Sequence, residues 1–212
     1  MKIRKGDRIL FIGDSVTDVK RDREDPFHLG FGYPMLIAAY LAEHYPDYQI
    51  ELLNRGISGN KIAQMAKRWR TDCLDLKPDI VSILIGINDV WHFMDDEKQL
   101  DKSKLEQFEA DYYKILETTI QNLDAQIVLM EPFVLPYPKD RWTWRRHLDP
   151  RIHIIRRLAA EFKTELIPLD GILNAKGILY GYQSYTGQDG VHPTLTGHAA
   201  IAQAWIEQMK FE

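Results

Sequence analysis

An internal disulfide is out of reach for this chain, because its 212 residues include a single cysteine, Cys73. That residue shares a helical stripe with Ile62, Met65, Trp69 and Leu76 and reads as a buried core thiol. Long apolar runs are missing as well, so no segment reaches the length of a membrane span. The N-terminus, Met1-Lys2-Ile3-Arg4-Lys5, carries positive charge, but the apolar run behind it is too short for a secretory signal and contains the first strand. A basic surplus is absent too. The 27 Lys and Arg against 31 Asp and Glu leave a formal net charge of -4, with no electrostatic footprint for nucleic acid or an anionic membrane. Internal repeats, low-complexity stretches and linkers do not occur. These absences point to a cytoplasmic protein with neither nucleic-acid nor membrane partners. With 45% hydrophobic and 27% charged residues the composition is ordinary for a globular chain, and we expect one domain over residues 1–212.

Apolar strands alternate with amphipathic helices along the chain. Strands are expected at Ile9–Ile12, Ile50–Leu53, Ile80–Ile85, Ile127–Met130 and Leu166–Leu169. The third has no polar face and belongs at the centre of a sheet, whereas Pro168 suits the last to an edge. Helices are expected from about Tyr33 to Glu43 and along the Cys73 stripe. After a polar loop, a long helix carries Leu105, Phe108, Tyr112, Ile115, Leu116 and Leu123, and another carries Ile152, Ile155, Leu158 and Phe162. A final helix from about Leu195 to Met209 turns Ala199, Ala202, Trp205 and Ile206 inward. Two segments escape this pattern: the charged stretch Asp18 to Asp25, and an irregular excursion from the proline-rich Glu131–Pro138 to Pro150 holding Trp142 and Trp144. The excursion reads either as a subunit contact or core cover, or as a wall of the substrate pocket. The alternation as a whole implies an α/β fold: a three-layer α/β/α sandwich around a five-stranded parallel sheet with right-handed crossovers.

Sheets of this kind place their chemistry at the carboxyl ends of the strands. The first strand delivers Gly13-Asp14-Ser15-Val16-Thr17 to that edge, which makes Ser15 a candidate nucleophile. A serine alone is a poor nucleophile, so it needs a base for its proton and donors for the oxyanion it creates. His192 is the candidate base. In Asp189-Gly190-Val191-His192-Pro193 a carboxylate three residues ahead of the histidine can fold back onto Nδ1–H and leave Nε2 free. His28, His44, His147, His153 and His198 have no comparable setting, and His92 only flanks a motif. Three oxyanion donors are candidates: the Ser15 N–H, the Gly59 N–H in the loop after the second strand, and the Asn88 amide after the central strand. Gly59 can offer its N–H where any side chain would block close approach, but taken singly it reads as a turn glycine, and Asn88 as a turn cap. Their placement together with Ser15 and the Asp189/His192 pair is what gives them a functional reading. Asp14 and Trp91 are candidate substrate contacts, Trp91 by stacking on a sugar ring.

In order along the chain, Gly13-Asp14-Ser15, Gly59, Gly86-Ile87-Asn88-Asp89 and Asp189-Gly190-Val191-His192 resemble the four blocks of the SGNH (GDSL-type) hydrolases. The resemblance implies the flavodoxin-like fold of that family. It also implies Ser15 as nucleophile, His192 as base, Asp189 as its orienter, and Ser15, Gly59 and Asn88 as the oxyanion hole. More narrowly, Gly56-Ile57-Ser58-Gly59-Asn60, Arg68-Trp69, Lys77-Pro78-Asp79 and the stretch Gly86 to Trp91 look like the intracellular acetylxylan esterase branch. That branch removes acetyl groups from xylo-oligosaccharides and tends to form oligomers. The Asp18 to Gly30 loop and the Lys139 to Pro150 segment differ most from it.

The expected chemistry is acyl transfer through a Ser-His-Asp triad and an acyl-enzyme, on short-chain esters such as acetylated sugars, with no metal and no organic cofactor. Three other readings stay open: a lysophospholipase or thioesterase with the same triad, a metal-dependent phosphoesterase with Asp14, Asp89 and His192 as ligands, and a binding module that has lost catalysis.

Overall fold

A computed structural model describes residues 1–94, 96 and 101–212. The elements run β1 (Lys2–Ile3), β2 (Arg8–Gly13), α1 (Ser15–Asp18), α2 (Tyr33–His44), β3 (Glu51–Asn54), α3 (Ile62–Lys67), α4 (Trp69–Asp72), β4 (Ile80–Leu84) and α5 (Asn88–Trp91). They continue with α6 (Lys102–Asn122), β5 (Gln126–Met130), α7 (Arg145–Phe162), β6 (Glu165–Ile167), α8 (Leu169–Tyr180), α9 (Leu195–Ile206) and β7 (Lys210–Phe211). Five strands form one parallel sheet in the order β3-β2-β4-β5-β6. Each residue of β4 is buried, as its unbroken apolar run requires of a central strand, and the short β6 lies at the edge.

Alternation along the strands divides the core between two faces. Ile9 and Phe11 of β2 turn toward α2, α8 and α9, where Tyr33, Ile37, Leu173, Ile201 and Trp205 close over them. Leu10 and Ile12 turn the other way, onto Ile62, Met65, Trp69, Phe108, Ile115 and Ile155 of α3, α4, α6 and α7. Large side chains such as Trp205 and Tyr33 each contribute roughly 2–3 kcal/mol through this burial. A third, smaller cluster of Ile87, Val90, Val134, Trp144, Leu148, Ile152 and Val191 gathers residues from the loops and helix starts beyond the strand ends.

Several expectations need correction. The Cys73 stripe is not one helix: it breaks at Arg68, whose ψ of 6° leaves the helical range, and resumes as α4 and a 3-10 turn, Leu74–Leu76. Cys73 is nevertheless fully buried, and burial pushes its thiol up to about 12. Pro150 does not end the irregular excursion but sits inside α7, where it withholds one backbone donor from a helix that runs on to Phe162. Trp142 is exposed, whereas Trp144 is packed into the third cluster. α8 had no signal of its own, because Gly171 and Gly177 dilute its helical preference and Ile178, Leu179 and Tyr180 point outward. Ala199 faces solvent on α9, and β1 pairs with β7 in a two-residue ribbon too short for any periodicity. The polar loop ahead of α6 lies in part outside the described residues. Among the described residues, no helix is long and apolar enough to cross a membrane.

Candidate active site

β2 ends against β4 so closely that a Cβ on Gly13 would lie 2.2 Å from the Leu84 carbonyl oxygen, which only glycine avoids. The chain then turns at once into α1. Asp14 caps that turn, its carboxylate accepting the Val16 N–H at 3.0 Å. It is 1% exposed, and burial raises its carboxyl to about 7 against the pull of that hydrogen bond and of His192. Ser15, the first residue of α1, has its Oγ 2.9 Å from His192 Nε2.

His192 arrives from the opposite side of the sequence in a turn that closes on itself. Asp189 Oδ2 is 2.6 Å from His192 Nδ1, and Oδ1 accepts the Val191 and His192 backbone N–H groups at 2.9 and 2.8 Å. Burial raises the Asp189 carboxyl, but the hydrogen bonds from His192 and Val191 outweigh it and hold it at about 2. The Asp189 hydrogen bond raises His192 in turn, against a smaller downward pull from burial. Gly190 must be glycine: its φ is +78°, and a Cβ would meet the Leu135 carbonyl oxygen at 2.5 Å. The 131–150 segment therefore braces this turn. Leu135 N–H donates to the Gly190 carbonyl at 2.8 Å and Arg141 Nε to the Asp189 carbonyl at 2.7 Å, with the Arg141 guanidinium 4.4 Å above the Trp144 ring.

The donor candidates follow the ends of β3 and β4. The Ile57 N–H donates to the Gly13 carbonyl at 3.0 Å and Asn60 N–H to the Ile57 carbonyl at 3.1 Å, so residues 57–60 form a turn lying against the end of β2. Gly59 sits in it at φ +80°, the value of the third residue of a type II turn. Its glycine is required by that φ and not by crowding, since a Cβ would meet nothing closer than His92 at 3.9 Å. Asn88, 3% exposed, gives one amide N–H to the Asn60 carbonyl at 3.2 Å and keeps its second for another acceptor. Trp91 is half-buried with its ring 5.4 Å from that of His192 and 5.6 Å from that of Trp144.

Three supporting residues went unread in the sequence. Asn60 links the two donor loops, Arg141 holds the base turn, and Arg68 donates to Gly13 O, Arg55 O, Asn60 Oδ1 and Asp72 Oδ2 at once. Two of them left a trace in the sequence, Asn60 in Gly56-Ile57-Ser58-Gly59-Asn60 and Arg68 in Arg68-Trp69, both as part of the esterase resemblance. Among the described residues, no group of three or more His, Cys, Asp or Glu is arranged to hold a metal ion. Asp89, one of the ligands that the phosphoesterase reading needs, instead accepts the Ile62 N–H at 3.1 Å.

A doubly flanked parallel sheet with Ser15, His192 and Asp189 in contact at its carboxyl edge has the arrangement of hydrolases that work through a serine. The pattern of the GDSL-like lipase/acylhydrolase family matches residues 11–200, and the chain belongs to that family. It is 35% identical over 217 residues to an acetylxylan esterase of Geobacillus stearothermophilus, covering 100% of this chain and 98% of that protein. The crystal structure of that esterase superposes with a TM-score of 0.87 over 98% of this chain and 95% of its own. A Parabacteroides merdae protein designated a GDSL-like lipase is similar at 37% identity and a TM-score of 0.88, over 97% and 96% of the two chains. An α/β hydrolase from the metagenome of Lake Arreo is similar at 30% identity and a TM-score of 0.86, over 97% and 95%.

Proposed function

We propose that the chain is a serine esterase that removes short acyl groups, acetyl foremost, from carbohydrate alcohols such as acetylated xylo-oligosaccharides. One observation carries the chemistry: the unbroken relay from Ser15 Oγ through His192 to Asp189, at 2.9 and 2.6 Å. The acetyl sugar is supported by the similarity to the Geobacillus acetylxylan esterase. Solved variants of that enzyme at one serine, one aspartate and one histidine are each described as catalytic mutants, the three residue types of this relay.

Ser15 Oγ attacks the ester carbonyl while His192 Nε2 takes its proton, and the raised basicity that Asp189 confers on His192 favours that transfer. The Ser15 and Gly59 N–H groups and the free Asn88 amide hydrogen receive the developing oxyanion. His192 then protonates the leaving alcohol, and water repeats the sequence on the acyl-enzyme to release the carboxylate. Trp91, beside His192, offers a ring for stacking on the sugar. Asp14, buried and spent on Val16, serves as the support of the nucleophile turn rather than as a substrate contact.

The protein works as one domain over residues 1–212, in the cytoplasm, and as a homo-oligomer. Self-association is supported by the outward-facing Ile178, Leu179 and Tyr180. Hydrolysis of p-nitrophenyl acetate, butyrate and octanoate and of a peracetylated xylose, by wild type beside Ser15→Ala, tests the function. Turnover of acetyl esters by wild type alone is the expected result. A preference for octanoate would replace the sugar ester with a lipid or thioester substrate, and equal rates for both proteins would sink the serine mechanism.

A further inference from the structure

The charged segment after the nucleophile turn is joined to the donor loop by its first residue. Asp18 is the last residue of α1, three positions beyond Ser15, and only 2% of it is exposed. Its Oδ2 accepts the Ser58 N–H and the Ser58 Oγ–H, both at 2.8 Å, and an Arg23 Nη2–H at 2.7 Å, while Oδ1 accepts the Arg21 N–H at 3.2 Å. Burial raises the Asp18 carboxyl, but the bonds from Arg23 and Ser58 prevail and hold it below its ordinary value. The backbone has no slack either. A Cβ on Gly56 would lie 2.4 Å from the Asp18 nitrogen, and one on Gly30 would lie 2.3 Å from the Asp18 oxygen.

Resting on the reading of Ser15 as nucleophile and Gly59 as oxyanion donor, we propose that Asp18 is a positioning residue that ties Ser58, the residue from which the Gly59 peptide hangs, to the helix bearing Ser15. The turn at residues 57–60 has its ends fixed by Ile57 N–H to Gly13 O and by Asn88 to Asn60 O. Neither bond reaches the central peptide, whose N–H belongs to Gly59. Rotation of that peptide interconverts type I and type II turns and swings its N–H to the other side, and the glycine offers no steric resistance. Asp18 grips Ser58, on one flank of the peptide, through both backbone and side chain. Those bonds fix the Ser58 backbone on which the Gly59 peptide turns, and so set where the Gly59 donor starts relative to Ser15, although the two come from different strand ends. Misplacement of a catalytic group by about 1 Å costs on the order of 10²-fold in rate, so the lock has a measurable value.

The test uses the full chain as Asp18→Asn, Ser58→Ala and the double variant, beside Ser15→Ala, with p-nitrophenyl acetate as substrate and a phenylboronic acid as a tetrahedral oxyanion mimic. Asp18→Asn is expected to lower kcat about 30-fold with KM changed less than about threefold, and to weaken the boronate by a similar factor. The acid limb of the pH profile stays in place, because the His192–Asp189 pair is untouched. Ser58→Ala is expected to lose roughly fivefold, and the double variant no more than Asp18→Asn alone, since both cut one link. A kcat and boronate affinity within about twofold of wild type for Asp18→Asn, a change confined to KM, or losses that multiply in the double variant would each overturn the proposal. If Asp18→Asn fails to fold by circular dichroism, Ser58→Ala decides alone: a parallel loss of kcat and boronate affinity sustains the lock, and wild-type values refute it. Full activity in Ser15→Ala would instead remove the underlying serine reading.

Discussion

The two halves of the candidate site are built in opposite ways. The base half is largely local: Asp189 and His192 lie three residues apart, and one carboxylate orients the ring and takes both neighbouring backbone N–H groups, with Leu135 and Arg141 bracing the turn from outside. The oxyanion half is assembled from three separate places, Ser15 after β2, Gly59 after β3 and Asn88 after β4, and its ties run between distant residues such as Asn88 to Asn60 and Arg68 to Gly13. A local constellation keeps its geometry as long as its turn survives. A distributed one depends on sheet register and on side chains such as Arg68 that have no catalytic chemistry of their own.

The largest effect falls on the atom both halves share. Ser15→Ala is expected to lower kcat by about 10⁶-fold, measured as residual p-nitrophenyl acetate turnover after active-site titration. Breaking the local half, Asp189→Asn should cost about 10⁴-fold by leaving His192 in the wrong tautomer. The pH profile separates that role from mere loss of structure. Asp189 raises His192 above its ordinary 6.5, and the neutral imidazole is the active form, so kcat/KM of the wild type falls on acidification through a pKa above 6.5. In Asp189→Asn this limb moves to lower pH. Breaking the distributed half at one donor costs less: Asn88→Ala is expected to lose about 10²–10³-fold in kcat with a smaller change in KM. The smallest effect belongs to the brace. Removing the Arg141 hydrogen bond by Arg141→Ala should cost roughly 1 kcal/mol in urea denaturation and leave the acid limb unmoved.

The same division decides what could be read from the residues alone. The Asp189-Gly190-Val191-His192 spacing carries its geometry within itself, so the Asp189–His192 contact was legible, and the apolar run of β4 announced the central strand. Gly59 was found for an incomplete reason, since its positive φ, and not close approach, is what excludes a side chain. The supporting roles of Asn60, Arg68 and Arg141 were not legible, because the bonds from Arg68 to Gly13, from Asn88 to Asn60 and from Arg141 to Asp189 join residues 28 to 55 positions apart that only the folded sheet brings together. α8 escaped for another physical reason: apolar residues on its outward face erase the amphipathic contrast by which helices are recognised.

The small third cluster has a thermal meaning. Among the described residues, seven buried side chains form it, and they come from both halves at once: Ile87 and Val90 flank Asn88, and Val191 precedes His192. The two large clusters hold the sheet; this one holds the loops to each other. Units with few buried contacts open at lower free energy than the body of a domain. On heating, the protein should therefore cease to hydrolyse esters while its sheet is still folded, and it should recover on cooling as long as that sheet has not melted.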